Sequence, residues 1–199
     1  MKILATGCMH GDARLAQDLA TRAKKEGVEL VLICGDITRG NESTEGMIGP
    51  FKKLNLEVAL VPGNHEPEAV ADFLAEAYNV KNLHGSSLKI KDTGFFGCGA
   101  ANIGIHRLED TESYFLFYKG FKDIKNLNKK IMISHIPPSG TLMERLVPGS
   151  GSEAVRKAIE SFKPDIALCA HLHEAEGIEE SIGKTRVINV GRSGKIFEI

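Results

Sequence analysis

The chain has 199 residues, 42% of them hydrophobic and 26% charged, with a formal net charge of −1. That length suits one domain with a sizeable core over residues 1–199, and the near-zero charge excludes a long-range pull toward nucleic acid or an anionic membrane. The apolar stretch from Met1 to Gly7 is too short for a signal peptide, no later run approaches the roughly 18 apolar residues of a membrane span, and the four cysteines (Cys8, Cys34, Cys98, Cys169) form no CxxC pair. A cytoplasmic protein with reduced thiols is the expectation.

The first two-thirds of the chain alternates β-branched or leucine-rich runs with amphipathic stretches, the pattern of βα units on a largely parallel sheet. Strands are expected over residues 2–6, 29–34 and 57–61. Between the first two, residues 13–26 carry Leu15, Leu19 and Ala23 at four-residue spacing and stop before Gly27, which predicts a helix with a glycine terminus. Further helices are expected over about 45–54 and, with Pro67 at the first helical position, about 67–77. Residues 88–91 and 93–98 read as adjacent strands. Residues 100–125 are the hardest to assign; Phe115, Phe117, Tyr118 and Phe121 predict the packing face of a local helix, with a substrate or partner wall as the second reading. A strand at 130–134, a helix at about 151–162 and a strand at 166–170 follow. Three closing strands near 177–181, 186–190 and 195–199 suggest an antiparallel meander. No repeat or low-complexity linker marks a domain boundary.

Five strand-like runs are each followed at once by side chains able to bind metal: Cys8 and His10, then Asp36, then Asn64 and His65, then His135, and last His171 with His173. The carboxyl ends of strands in an open α/β sheet share one rim, so these residues should converge. A histidine taken alone is more often simply hydrogen-bonded in a loop. Five of the seven histidines fall at such ends, however, and that repetition favours a site. Imidazole, carboxylate and amide oxygen together suit Mn²⁺, Fe²⁺, Zn²⁺, Ni²⁺ or Co²⁺. One zinc site needs only about four ligands. Seven candidates without His65 are enough for two ions sharing one carboxylate, the usual device for activating a water and polarising a phosphoryl group between ions roughly 3.5 to 4 Å apart.

These residues resemble the motifs of the calcineurin-like metallophosphoesterases, which run Asp-x-His, Gly-Asp, Gly-Asn-His-Asp/Glu, a single His and Gly-His-x-His. They stand here as Cys8-Met9-His10, Gly35-Asp36, Gly63-Asn64-His65-Glu66, Ser134-His135 and Ala170-His171-Leu172-His173, in the same order and over nearly the whole chain. The resemblance implies an α/β fold of two packed mixed β-sheets flanked by helices, a four-layer α/β/β/α sandwich. It also implies that His10, Asp36 and His173 bind a first ion, and that Asp36 bridges to a second ion held by Asn64, His135 and His171. His65 would bind no metal but face the scissile group, stabilising the transition state or protonating the leaving oxygen. The implied reaction is in-line attack by a metal-bridging hydroxide on the phosphorus of a small phosphomonoester or phosphodiester.

Cys8 departs from the family pattern, which has aspartate there. Two readings stay open: a small buried hydrophobe, or a seventh ligand whose thiolate, at roughly 2.3 Å from zinc, favours Zn²⁺ or Fe over Mg²⁺ or Mn²⁺. As a spectator it leaves the first site with His10, Asp36 and His173 alone and a weaker hold on its ion. The same departure motivates an alternative function, a catalytically weakened or non-catalytic interaction protein on this fold, against which the presence of His65 argues. The change from Gly to Ala170 matters only where the backbone needs a positive φ. Substrate contacts are expected, if anywhere, from the rim residues Arg39, Asn102 and His106, with Asn41, Arg107 and Ser139 beside them. His84 reads as structural or surface, and Gly191, after Asn189 and Val190, as a tight turn. The charge offers no obvious groove for a polyanion, and homo-oligomerisation is left open.

Overall fold

The computed structural model describes residues 1–40, 43–99 and 101–199. Numbered in chain order, one sheet holds β1 (Lys2–Thr6), β2 (Leu30–Cys34), β3 (Glu57–Val61), the short β4 (Lys81–Asn82) and β11 (Lys195–Glu198), in the order β11-β1-β2-β3-β4. The other holds β5 (Ser86–Ile90), β6 (Thr93–Cys98), β7 (Lys129–Ser134), β8 (Ile166–Cys169), β9 (Glu179–Ile182) and β10 (Thr185–Asn189), in the order β5-β6-β7-β8-β10-β9. Strands β1 to β4 run parallel, as do β6, β7, β8 and β10, while β11, β5 and β9 join antiparallel at edges.

Side-chain alternation assigns the layers, because successive residues of a strand point to opposite faces. Ile3 and Ala5 of β1 and Leu30 and Leu32 of β2 meet Phe95, Ile131, Ile133, Leu168 and Ile188 of the second sheet in a core between the sheets. Their neighbours Leu4, Val31 and Ile33 face outward onto α1 (Ala13–Lys25), α2 (Gly49–Lys53) and α3 (Glu68–Tyr78), through Ala16, Leu19, Phe51 and Leu74. On the far side Phe96, Met132 and Ala167 pack against α4 (Asp110–Lys122) and α6 (Glu153–Phe162), with Phe117, Val155 and Phe162 as the buried helix residues. The result is the expected four-layer α/β/β/α arrangement. Burial on both faces explains why β2 reads as the continuous apolar run Leu-Val-Leu-Ile-Cys. Among the described residues no helix is long and apolar enough to cross a membrane.

Helix α1 starts where Asp12 accepts a hydrogen bond from the Leu15 amide at 3.0 Å and ends just before Gly27, at φ +71°. Four elements differ from expectation. Only Gly49–Lys53 of the stretch 45–54 is helical, because Gly46 adopts φ +77° against Ala13 and Pro50 sits at the helix start. Pro67 is the residue before α3 and not its first residue; its extended ψ of 158° sets the entry of the chain. The closing strands are no meander: β9 and β10 pair antiparallel, but β11 leaves that sheet and pairs with β1, with Lys2 opposite Glu198. Helix α4 does form, yet only part of the expected aromatic face packs. Phe117 is buried, Phe121 stacks on Phe162 at 4.5 Å and the half-exposed Tyr118 ring lies 6.4 Å from the same ring, whereas Phe115 is largely exposed. Tyr114, one turn before Phe117 and Tyr118, also stacks on Phe162, at 5.5 Å.

Candidate metal centre

Every candidate ligand lies just past the carboxyl end of a parallel strand: Cys8 and His10 after β1, Asp36 after β2, Asn64 after β3, His135 after β7, and His171 and His173 after β8. Four of the eight non-glycine residues with positive φ among the described residues are in this set, Cys8 (+53°), His10 (+49°), Asp36 (+51°) and His171 (+63°). Left-handed backbone is disfavoured for residues with a Cβ and persists where the surroundings enforce it. Here the enforcement is a zipper between loops. The amides of Cys8, His10 and Gly11 donate to the carbonyls of Gly35, Asp36 and Ile37 at 2.9 Å each, and the Ala170 amide donates to the His135 carbonyl at 2.8 Å.

The side chains then meet. Asp36 Oδ2 lies 3.2 Å from His135 Nε2, 3.8 Å from His10 Nε2 and 4.0 Å from His65 Nε2. Its other oxygen accepts the His65 backbone N–H at 3.1 Å. His135 Nε2 is also 3.0 Å from Asn64 Oδ1 and 3.2 Å from His171 Nδ1. His10 and His173 bring their Nε2 atoms within 3.4 Å of each other. Cys8 Sγ accepts the His171 amide N–H at 3.2 Å. The sulfur belongs to two clusters of potential ligand atoms, one with His10 and His173 and one with Asp36 and His135, each with all atoms within 4.8 Å. His65 joins a third such cluster with His10 and Asp36.

A divalent ion fits this donor set for a reason visible in the hydrogen bonds. His135 Nδ1 lies 2.7 Å from the Cys34 carbonyl, which can only accept, so that nitrogen carries a proton. The neutral ring therefore turns the lone pair of Nε2 toward Asp36 Oδ2 and Asn64 Oδ1. Three acceptors facing one another need positive charge between them, from a proton or from a metal ion. The electrostatics agree. Burial works against charge on both His135 and Asp36, yet their mutual attraction prevails, raising the His135 pKa and holding the Asp36 carboxyl well below the usual range. Burial lowers His10 and His171 to about 4, leaving both rings neutral near pH 7. Burial, with the Asp36 charge nearby, pushes the Cys8 thiol up to about 12.

Residues 1–175 match the model of the calcineurin-like phosphoesterases. The chain belongs to that family. An uncharacterised protein of Methanocaldococcus jannaschii, MJ1162, is 32% identical over 199 residues, covering 95% of this chain and 87% of that protein. Among solved structures, TT1561 of Thermus thermophilus superposes with a TM-score of 0.81 at 19% identity, over 96% of this chain and 89% of its own. A dimetal phosphatase from Danio rerio gives 0.67 at 13% identity, over 97% and 88% respectively. These structural likenesses bear on the fold, which is that of the family.

Within this calcineurin-like framework, Ala170 has no positive φ, and its methyl group takes space that Gly7 leaves open: a Cβ built on Gly7 would stand 2.6 Å from Ala170 Cβ. Of the expected rim residues, Arg39 is exposed, and Asn102 Nδ2 donates to the Gly151 carbonyl at 3.2 Å. His106 and Arg107 line a cavity of about 160 Å³ with Pro62, Glu66 and His84. Asn41 lies outside the described residues. Ser139 is buried, its amide donating to the Ser152 carbonyl and its carbonyl accepting from Arg156, so it braces the loop before α5 (Leu142–Leu146).

Three supporting side chains received no role from sequence alone. Glu66 is buried and accepts from the amides of Gly63 (2.8 Å), Ile37 (3.1 Å) and Thr38 (3.2 Å), clamping the loop after β3 to the loop after β2. Asn189 is buried too; it donates to the carbonyls of Ala170 and Leu172 on both sides of His171 and accepts from the Gly191 amide. Glu176 accepts the amides of Arg192 and Ser193, fixing the segment that carries the chain from β10 to β11. For Glu66 the signal was its place in Gly-Asn-His-Glu. For Asn189 and Glu176 the partners are distant in sequence and no pattern pointed to them.

Proposed function

We propose that this chain is a metal-dependent phosphoesterase whose centre takes two divalent ions. The observation that carries the reading is the convergence of lone pairs from His135, Asp36 and Asn64, with the His10 and His173 rings and the Cys8 sulfur beside them. His10, Asp36, His173 and the Cys8 thiolate would hold one ion, and Asp36, Asn64, His135 and His171 the other. Such ions, when bound, supply positive charge to the phosphoryl oxygens of a monoester or diester and activate a water for in-line attack.

The protein's own groups do the positioning. The His65 amide on Asp36 Oδ1 leaves Oδ2 directed at the rings, as a shared carboxylate requires. The His65 side chain is 39% exposed and packs edge-on against His10 at 4.8 Å, so its ring stands at the open edge of the cluster. There it can hydrogen-bond the leaving oxygen and deliver a proton as the P–O bond breaks. Cys8 faces the donor cluster, which favours the ligand reading over the spectator one. Ligation requires the ion to displace a tightly held thiol proton, and zinc and iron do this better than magnesium or manganese.

The test is elemental analysis of purified protein joined to a metal-by-substrate hydrolysis screen, on wild type and Cys8→Asp side by side. About two ions per chain, enriched in zinc or iron, are expected in the wild type, with a shift toward manganese in the variant. Cobalt-loaded wild type should show a sulfur-to-cobalt charge-transfer band that Cys8→Ser lacks. Unchanged metal content and activity in Cys8→Asp would make the cysteine a bystander. A wild type that holds no metal and cleaves no ester would favour a non-catalytic interaction protein instead.

A further inference from the structure

Strand β10 runs parallel to β8, with Asn189 opposite Cys169, so its carboxyl end opens on the same rim as the strand ends that carry the candidate ligands. Past it, Val190 to Gly194 include no histidine, cysteine, aspartate or glutamate. What this end offers is the side chain of Asn189, which is fully buried. Its Nδ2 donates to the Ala170 carbonyl at 3.2 Å and to the Leu172 carbonyl at 3.0 Å, and its Oδ1 accepts the Gly191 amide at 3.0 Å. The two carbonyls can only accept, so the nitrogen must be the atom that faces them.

Those carbonyls flank His171, and the backbone between them is strained. The Leu172 amide donates to the Ala170 carbonyl at 2.7 Å across His171, whose φ is +63°. That is a γ-turn with positive φ at its central residue, a rare conformation that persists only where other contacts hold it. Asn189 spans the turn with one amide proton on each end, and from the other side Cys8 Sγ accepts the His171 amide at 3.2 Å. So held, the turn places His171 Nδ1 3.2 Å from His135 Nε2. Each carbonyl also has a second donor, the Leu172 amide on Ala170 and the Ala175 amide at 3.1 Å on Leu172, so neither needs Asn189 for its hydrogen bonding. The distinct contribution of Asn189 is the geometry of His171.

We propose that Asn189 is a positioning residue of the metal centre: it holds the turn that aims His171 at the ion shared with His135, and so sets the affinity for that ion. The inference rests on the metal-dependent reading and assigns a further residue to that same site. Asn189→Ala should fold, because both carbonyls keep a donor. Asn189→Asp keeps the shape and the Gly191 bond but turns lone pairs toward both carbonyls. Thermal melts check that the variants fold.

The test is calorimetric titration of chelator-stripped protein with Zn²⁺, on wild type, Asn189→Ala, Asn189→Asp, His171→Ala and the double variant His171→Ala with Asn189→Ala. Either Asn189 variant should raise Kd for the ion that His171→Ala also weakens, by roughly 10 to 100-fold, the usual effect of removing the support behind a ligand, while Kd for the other ion stays within about threefold. Once His171 is gone Asn189 has no ring to aim, so the double variant should bind as His171→Ala does, within about twofold. Losses that multiply in the double variant, equal weakening of both ions, or an unchanged Kd overturn the positioning role and leave the metal centre standing. Loss of the folded state in both Asn189 variants makes the residue a support of the fold and overturns the positioning role as well. A wild type that takes up no ion overturns both the role and the metal-dependent reading.

Discussion

At His135 the two ring nitrogens face opposite demands. Nδ1 donates its N–H to the Cys34 carbonyl, and Nε2 is left among Asp36, Asn64 and His171. Fixing the tautomer through the far nitrogen is how proteins ready an imidazole for an ion. His65 is arranged differently, with its backbone amide on Asp36 and its side chain at the open edge. That division predicts that His65→Ala keeps the wild-type metal content but lowers kcat by roughly 10² to 10⁴-fold, the usual worth of a positioned proton donor. Steady-state kinetics with elemental analysis of the same samples check it, and full activity in the variant would remove His65 from the chemistry. Most ligand candidates were legible residue by residue because each sits one to four positions past an apolar run. Cys8 was not, since the sequence carries its identity but not the direction of its sulfur.

The strand-end loops act together as a unit. The loop after β1 reads along the loop after β2 through three amide-to-carbonyl bonds; Gly7 lets the β1 loop approach the Cys34 carbonyl, and Gly63 lets the loop after β3 approach Asp36. A Cβ on Gly63 would lie 2.1 Å from Asp36 Oδ1, so glycine there is a condition for the observed placement of the Asp36 carboxylate. Between Gly7 and Ala170 the relation is a size exchange across the rim. Gly7→Ala should cost about 1 to 3 kcal/mol by overpacking, and Ala170→Gly in the same background should recover much of it. Urea denaturation of the two single variants and the double variant measures the coupling; simple additivity would mean that the Ala170 methyl is not what excludes a side chain at position 7. Sequence pattern located α1, α3 and α6 well, because each carries an apolar stripe bounded by recognisable ends. It overextended α2, since the left-handed turn at Gly46, where a Cβ would stand 2.9 Å from Ala13 Cβ, leaves no mark in periodicity.

Across the molecule, His84 joins the second sheet to the loop at the rim. Its buried Nδ1 accepts the Gly99 amide at 3.0 Å, and its Nε2 faces Glu68 at 3.9 Å. Burial lowers its pKa below the ordinary 6.5, against the pull of Glu68 and Asp72. The unfolded chain therefore binds a proton at this residue that the folded one resists. Stability from this source is present above 6.5 and lost as the pH falls toward the folded value. Wild type should lose more stability than His84→Asn on acidification from pH 7 to about 5.5, measured by urea denaturation at each pH; parallel losses would take His84 out of the linkage. By itself the sequence determined the parallel strands, the rim that gathers their carboxyl ends, and which candidate ligands are placed there, because those follow from periodicity and from chain direction, which are local. The crossing of β11 to the sheet of β1, the brace of Asn189 under His171 and the inward face of Cys8 were decided only by tertiary structure. Each depends on groups far apart in the chain meeting at a few ångströms, and no spacing within one segment records such a meeting.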